Sequence, residues 1–212
     1  MSDLSGIKAL TFDVFGTTVD WCGGIARESE AMLGGRAKLD WVAFANRWRK
    51  EYQPAMDEVR SGRRDYVVMD QLHREMLDAT LLSYGIDLAA IDEALLHDWN
   101  LAWHRLDPWP DTVAGLTRLK TRFPIVTLSN GNVALMVAMA RRGGLPWDAI
   151  LGAEIARAYK PDPRAYLGTA EALSLKPGEL CLVAAHHADL AAARKCGLMT
   201  AFIHRPMEYG GA

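Results

Sequence analysis

The sequence predicts an α/β protein: a doubly wound, Rossmann-like parallel sheet with an all-helical cap inserted after its first strand. Two observations carry this expectation. From residue 109 onward, short apolar runs alternate with segments of helical period, the pattern of a parallel sheet covered by helices on both faces. Between 21 and 108 the periodicity is helical with no convincing strand, so this stretch should fold as a cap above the strand ends. The expected division is a core of residues 1–20 and 109–212 and a cap of residues 21–108.

The elements follow in order. Lys8-Ala-Leu-Thr-Phe-Asp-Val-Phe-Gly-Thr-Thr18 begins as an apolar run that reads as a buried strand and ends in Asp13 and a Gly16-Thr17 turn. In the cap, Asp40 is placed to start a helix carrying Val42, Phe44, Ala45, Trp48 and Tyr52 broadly on one face. Further helical segments cover 65–83 and 88–105, separated by Tyr84-Gly85. After Asp107-Pro-Trp-Pro110 come a helix at 111–121, a strand at Pro124–Leu128 and a helix from Asn132 to Arg142. Ala149–Ala153 is a further strand candidate. A helix at 163–173, the strand Leu180–Ala185, a helix at 188–196 and the strand Met199–Ile203 complete the chain. Six of the seven tryptophans, at 21, 41, 48, 99, 103 and 109, fall in the cap or its connections. Most are expected in the cap's own core, with one or two walling a closed, apolar site.

Composition narrows the function classes. Half of the 212 residues are apolar and 24% are charged, so a sizeable core is available. A formal charge of −2 offers no case for nucleic acid or an anionic membrane surface as partner. No apolar run is long enough to span a bilayer, and the N-terminus has no basic stretch with an apolar core behind it. Cys22, Cys181 and Cys196 form no CxxC pair and are odd in number, which favours a reducing compartment; a cytoplasmic location is expected.

Four motifs fall at strand ends, where ligand sites of open α/β sheets gather. Asp13, released from the first strand, is a candidate nucleophile. Phe15 stands two residues on, where a second acid would be needed to protonate an oxygen leaving group. Such a site suits a substrate whose leaving group departs as a stable anion. Leu128-Ser-Asn-Gly-Asn132 ends a strand in Ser129 and Asn130 before a helix, a place to hold an anion or simply to cap that helix. In Tyr159-Lys-Pro-Asp-Pro163, Lys160 can lower the pKa of a neighbouring carboxylate, or be a solvated surface charge. Tyr166 can face the same site or pack beside it. The fourth strand runs into His186, His187 and Asp189; Asp189 can activate water, fix Lys160 or favour a helix N-terminus. His73, His97, His104 and His204 have no partner spacing and read as structural. No HExxH or Cys/His metal pattern occurs, and no metal or other cofactor is expected.

This combination resembles the haloacid dehalogenase superfamily, and within it the type II 2-haloacid dehalogenases. Asp13-Val-Phe-Gly-Thr17, Ser129-Asn130, Lys160-Pro161 and the segment from His186 to Asp189 match its four motifs, and the helical insertion sits where that family carries its cap. The resemblance implies that Asp13 displaces halide from C2 of the acid and that water hydrolyses the resulting ester. Thr17 and Lys160 would position and ionise Asp13, and Asp189 would be the acid of the fourth motif. Ser129, with backbone N–H groups after Asp13, would bind the substrate carboxylate. Trp48-Arg49 resembles the family's Trp-Arg pair, which makes Arg49 with Asn130 the halide cradle; Tyr166 matches the tyrosine after the motif-three lysine. The family also suggests a homodimer. One departure stands out: Ala184-Ala185-His186 replaces a Ser-Ser-Asn segment, so His186 puts a bulkier ring near C2, able to donate a hydrogen bond to halide or carboxylate.

Two alternatives remain at this point. A Mg²⁺-dependent phosphatase of the same superfamily would need a metal and an acid for the departing alkoxide, and Phe15 removes the usual acid. A non-catalytic relative would have to keep Asp13, Lys160, Arg49 and Asp189 as buried charges with no role.

Overall fold

The computed structural model describes residues 5–211 apart from 34 and 36; the first four residues of the expected core therefore lie outside it. Strand β1 (Ala9–Phe12) leads into a two-residue strand β2 (Val19–Asp20), after which the chain enters helices α1 (Trp21–Leu33), α2 (Trp41–Lys50), α3 (Tyr52–Arg60), α4 (Met69–Ser83) and α5 (Glu93–Asn100). It returns through β3 (Asp107–Pro108), followed by α6 (Thr112–Lys120), β4 (Ile125–Thr127), α7 (Val133–Gly143), α8 (Ala153–Ala156), α9 (Pro163–Ala172), β5 (Leu180–Ala184), α10 (His187–Lys195) and β6 (Met199–Phe202). Short 3₁₀ turns cover Leu88–Ala90, Leu101–Arg105 and Pro177–Glu179.

The four long strands form one parallel sheet in the order β4-β1-β5-β6. Phe12 pairs with Thr127 on one side and Val183 on the other, so the carboxyl ends of β1, β4 and β5 finish side by side. That register brings Asp13, the Ser129-Asn130 turn and the Ala185-His186 turn to one edge, where a parallel sheet places its ligand sites.

The helical stretch differs from its expected outline in three places. A single helix through Tyr52 is not formed: α2 ends at Lys50 and α3 starts at Tyr52. Pro54 explains the break, because its ring has no N–H for the Lys50 carbonyl and crowds that carbonyl. Asp40 does cap α2, its side chain accepting the Ala43 N–H at 2.9 Å. The expected helix at 65–83 begins only at Met69, and the one at 88–105 is cut into a 3₁₀ turn, α5 and a second 3₁₀ turn. Asp87 and Asp92 each take a local backbone N–H, from Ala89 and Ala94, and so restart the chain twice. The pairing of β2 with β3, Val19 opposite Pro108 and Asp20 opposite Asp107, was not expected from sequence. It lays the way into the helical stretch beside the way out.

Ala149–Ala153 is not a strand. It makes two isolated parallel bridges, Ala149 to Val126 and Gly152 to Ser129. Gly152 has φ 136°, and a Cβ there would lie 2.2 Å from the Ser129 carbonyl oxygen, so only glycine permits this approach behind the second motif. Trp21, Trp48, Trp99 and Trp103 are fully buried among the helices, Trp103 stacking on the His73 ring with centroids 4.2 Å apart. Burial holds the His73 imidazole well below its usual pKa, hence neutral. Among the described residues, no helix is long and apolar enough to cross a membrane. All three cysteines are free thiols.

Candidate active site

Asp13 extends β1 by one bond, its N–H donating to the Val183 carbonyl at 3.1 Å, which fixes the carboxylate at the sheet edge. Lys160 Nζ donates to Oδ1 at 3.0 Å, while Oδ2 accepts Thr17 Oγ1 at 2.7 Å and faces His186 Nδ1 at 3.0 Å. Thr17 is fixed in turn, its oxygen accepting the Ala185 N–H at 2.9 Å. Burial alone would raise the Asp13 pKa; Lys160, then His186 and Thr17, outweigh it and hold the carboxyl well below the usual range. Asp13 is an anion.

Lys160 bridges two acids. Its ammonium also donates to Asp189 Oδ2 at 2.5 Å, and the other Asp189 oxygen accepts the Tyr166 hydroxyl at 2.6 Å. Burial pulls the lysine pKa down, but Asp13 and Asp189 more than reverse this and raise it. Tyr166 is raised by burial and by Asp189, so it stays a protonated donor. Lys160 backbone N–H donates to Asn130 Oδ1 at 2.8 Å, which ties the second motif to the third. The other end of that amide, Nδ2, points at Met56 Sδ in α3 at 3.3 Å, a weak acceptor.

His186 is flanked by two carboxylates. Its Nε2 lies 2.7 Å from Glu208 Oε1, which also accepts the Trp21 indole N–H at 3.1 Å. Burial would lower the His186 pKa; hydrogen bonds and charge from Asp13 and Glu208 push it up to about 10. A ring donating at both nitrogens is an imidazolium. Both nitrogens are thus engaged with acids, so neither is left for halide or substrate carboxylate. Glu208 is buried, and room for it comes from Gly16: with φ 82° and no Cβ, Gly16 leaves the place where a Cβ would stand 2.1 Å from Glu208 Oε1. The tail carrying Glu208 is pinned by Arg205, whose Nε donates to the Thr17 carbonyl at 2.9 Å and whose Nη1 pairs with Asp111.

Arg49 enters from α2. Its guanidinium carbon sits 3.7 Å from the centroid of the Tyr52 ring and within 6 Å of the Trp21 and Phe15 rings, the geometry of a cation over aromatic faces. Arg49 Nη1 is buried and has no hydrogen-bond partner among the described residues. A cavity of about 680 Å³ joins these groups: Asp13, Phe15, Arg49, Asn130, Lys160, Tyr166, His186 and Asp189 all line it. Thr17 and Ser129 do not; Ser129 is fully buried and accepts the Gly131 N–H at 3.1 Å. None of the tryptophans lines the cavity, contrary to expectation. Its further aromatic walls are Tyr52 and Tyr209. Glu208, Tyr52 and Tyr209 carried no motif in the sequence.

Among the described residues, no group of three or more His, Cys, Asp or Glu is arranged to hold a metal ion. Lys160 occupies the space between Asp13 and Asp189, the two oxygen donors that the motif order offered.

A family model for haloacid dehalogenase-like hydrolases matches residues 7–197. The chain is 31% identical to (S)-2-haloacid dehalogenase 1 of Pseudomonas sp. strain CBS-3, across 97% of this chain and 89% of that protein. It is 51% identical to a solved defluorinating L-2-haloacid dehalogenase, with TM-score 0.93, covering 96% of this chain and 84% of that one. The L-2-haloacid dehalogenase of Xanthobacter autotrophicus, solved with chloropropionic acid covalently bound, superposes with TM-score 0.82 at 28% identity over 93% of this chain and 77% of that one. Motif order, sheet register and a match spanning most of the chain agree: this chain belongs to the haloacid dehalogenase-like hydrolases, among the 2-haloacid dehalogenases.

Proposed function

We propose that the protein hydrolyses short 2-haloalkanoic acids to 2-hydroxy acids through a covalent ester on Asp13, with inversion at C2. One observation carries the reading: an ionised, fully held carboxylate shares a cavity with a guanidinium that keeps an unpartnered N–H. An Asp13 oxygen forms a bond to C2 while the carbon–halogen bond breaks and halide leaves with the electron pair. Arg49 and the weakly engaged Asn130 amide take up that growing charge. Lys160 keeps Asp13 ionised, and Asp189 with Tyr166 holds Lys160. The backbone N–H groups after Asp13 are assigned to the substrate carboxylate; Ser129, buried behind the cavity wall, holds the turn that carries Asn130 by accepting the Gly131 N–H. The core then comprises 1–20 and 109–212, the cap 21–108, and the enzyme works as a cytoplasmic homodimer.

Halide departs without a proton, so the buried Phe15 costs the reaction nothing, whereas a phosphatase would lack its acid at that position. The test is halide release from chloro-, bromo- and fluoroacetate and both enantiomers of 2-chloropropionate, beside phosphate release from phosphomonoesters. Halide release that survives exhaustive chelation is expected. Phosphate release restored by Mg²⁺, with none of halide, would replace this reading with the phosphatase.

A further inference from the structure

Ester hydrolysis needs a second set of donors. When water attacks the Asp13 carbon of the ester, negative charge grows on the ester's carbonyl oxygen, and donors aimed there lower the barrier. The hydrogen bonds say which oxygen this is. Oδ1 accepts one bond, from Lys160, and Oδ2 is held by two groups, Thr17 at 2.7 Å and His186 Nδ1 at 3.0 Å. The less engaged Oδ1 keeps its lone pairs for C2 and becomes the alkyl-bearing oxygen. Oδ2 is left as the carbonyl. Resting on the dehalogenase reading above, we propose that His186, clamped by Glu208, is a catalytic residue of the hydrolysis step: its ring N–H and the Thr17 hydroxyl form the oxyanion hole on Asp13.

The step balances. The water oxygen bonds to the Asp13 carbon and the bond from that carbon to Oδ1 breaks. One water proton goes to the departing alkoxide, giving the hydroxy acid, and the other reaches solvent as the carboxylate is restored. His186 keeps its proton throughout.

Three features suit the ring to this task. It is charged, because carboxylates face both nitrogens, and it stays so when Asp13 is esterified since Glu208 remains. It is oriented, because Glu208 is itself fixed by the Trp21 indole and by the glycine turn at Gly16. It touches the atom that changes charge. The other ionisable groups around it are Lys160 and Asp189, bonded across Asp13, with Arg49, Lys50, Tyr52, Tyr166 and Tyr209 on the same cavity. Glu208 is a positioning residue in this scheme.

Mixing enzyme with chloroacetate, quenching at intervals, and following chloride, glycolate and the intact mass of the chain tests it. In His186→Ala, which leaves no donor at that position, chloride should still appear in a first-turnover burst, glycolate should slow by about 10²–10³-fold, and the chain should carry the carboxymethyl ester. Glu208→Gln should show the same split to a lesser degree, and the alkaline limb of glycolate formation should lie at lower pH than in wild type, because Glu208 is the acid that still faces the ring once Asp13 is esterified. Loss of the chloride burst with no ester would put His186 in the displacement step and overturn the proposal. So would unchanged glycolate formation in both variants. If His186→Ala fails to fold, Glu208→Gln decides: no ester and an unmoved alkaline limb refute it. A wild type that releases no chloride removes the dehalogenase reading itself, a distinct failure.

Discussion

On the core wall of the cavity each charge has met its partner: Asp13 with Lys160, Thr17 and His186, Lys160 also with Asp189, Asp189 with Tyr166, and His186 also with Glu208. The wall that carries Arg49 and Asn130 is built differently. Arg49 lies over Tyr52 with a buried N–H that has no acceptor, and the Asn130 amide beneath it reaches only a thioether. A buried donor left unmade costs about 1–3 kcal/mol, so the Arg49 wall carries a destabilising feature that the Asp13 wall has eliminated. The contrast assigns the walls to different moments. In the proposed reaction the Asp13 side is settled before substrate arrives, and the Arg49 side is completed by the halide that the reaction itself delivers.

Asp13→Asn should have the largest effect, since it removes the proposed nucleophile while keeping shape and hydrogen-bonding capacity. Halide release should fall to background with a normal melting curve. In ¹⁸O-labelled water, a single wild-type turnover should place label in Asp13 and leave product unlabelled. Label passing directly to product in that first turnover would mean direct water attack.

Lys160→Met should damage the core wall in a way no cap variant does. It strands Asp13 and Asp189 as buried acids, and breaking such a pair costs about 3–5 kcal/mol, read by chemical denaturation. Asp13, now lacking its principal cation, should titrate at higher pH, so any residual activity should fall earlier on acidification than in wild type. Equal stability of variant and wild type would show that the core wall is not electrostatically closed.

Arg49→Ala should reverse that pattern. Stabilisation of halide arises as the bond breaks, so kcat should drop by about 10²–10³-fold, with a smaller change in KM. Stability should hold or rise, because an unsatisfied buried donor is gone. Arg49→Lys keeps charge without the planar fork and should remain impaired. An Arg49→Ala variant with wild-type kcat would reduce Arg49 to a structural cation on aromatic faces.

The same contrast explains what could be read in the sequence. Asp13, Ser129, Asn130, His186 and Asp189 each follow an apolar run, and a strand of known polarity places whatever comes after it at the sheet edge. Pro54 carries the signal for the break between α2 and α3, but the helical period from Val42 to Tyr52 masks it. Glu208 gave no such sign: it sits in a tail without periodicity, 22 residues from the ring it holds, and is admitted by a glycine at position 16. The β2–β3 pairing involves two residues per strand, too few to show a period. Tryptophan content pointed to an apolar wall, but Trp21, Trp48, Trp99 and Trp103 are consumed in a core continuous with that of the sheet, leaving tyrosines at the surface of the cavity.

The smallest expected effect concerns Glu208 and needs a difference measurement. His186 has a pKa of about 10 in the folded chain against the ordinary value of 6.5. Folding therefore strengthens its hold on a proton, so its contribution to stability is complete below about pH 6.5 and is lost as pH rises through about 10. Glu208 supplies part of that shift, and Asp13 supplies the rest. The melting temperature of wild type should accordingly exceed that of Glu208→Gln at neutral pH. The gap should begin to narrow at the lower pKa that His186 has without its second acid, and close near pH 10. Lysines and tyrosines titrating in the same range act on both proteins and cancel in the difference. A gap that stays constant to high pH would mean that Glu208 contributes packing and its bond to Trp21 alone, and that the charge on His186 is sustained from the Asp13 side.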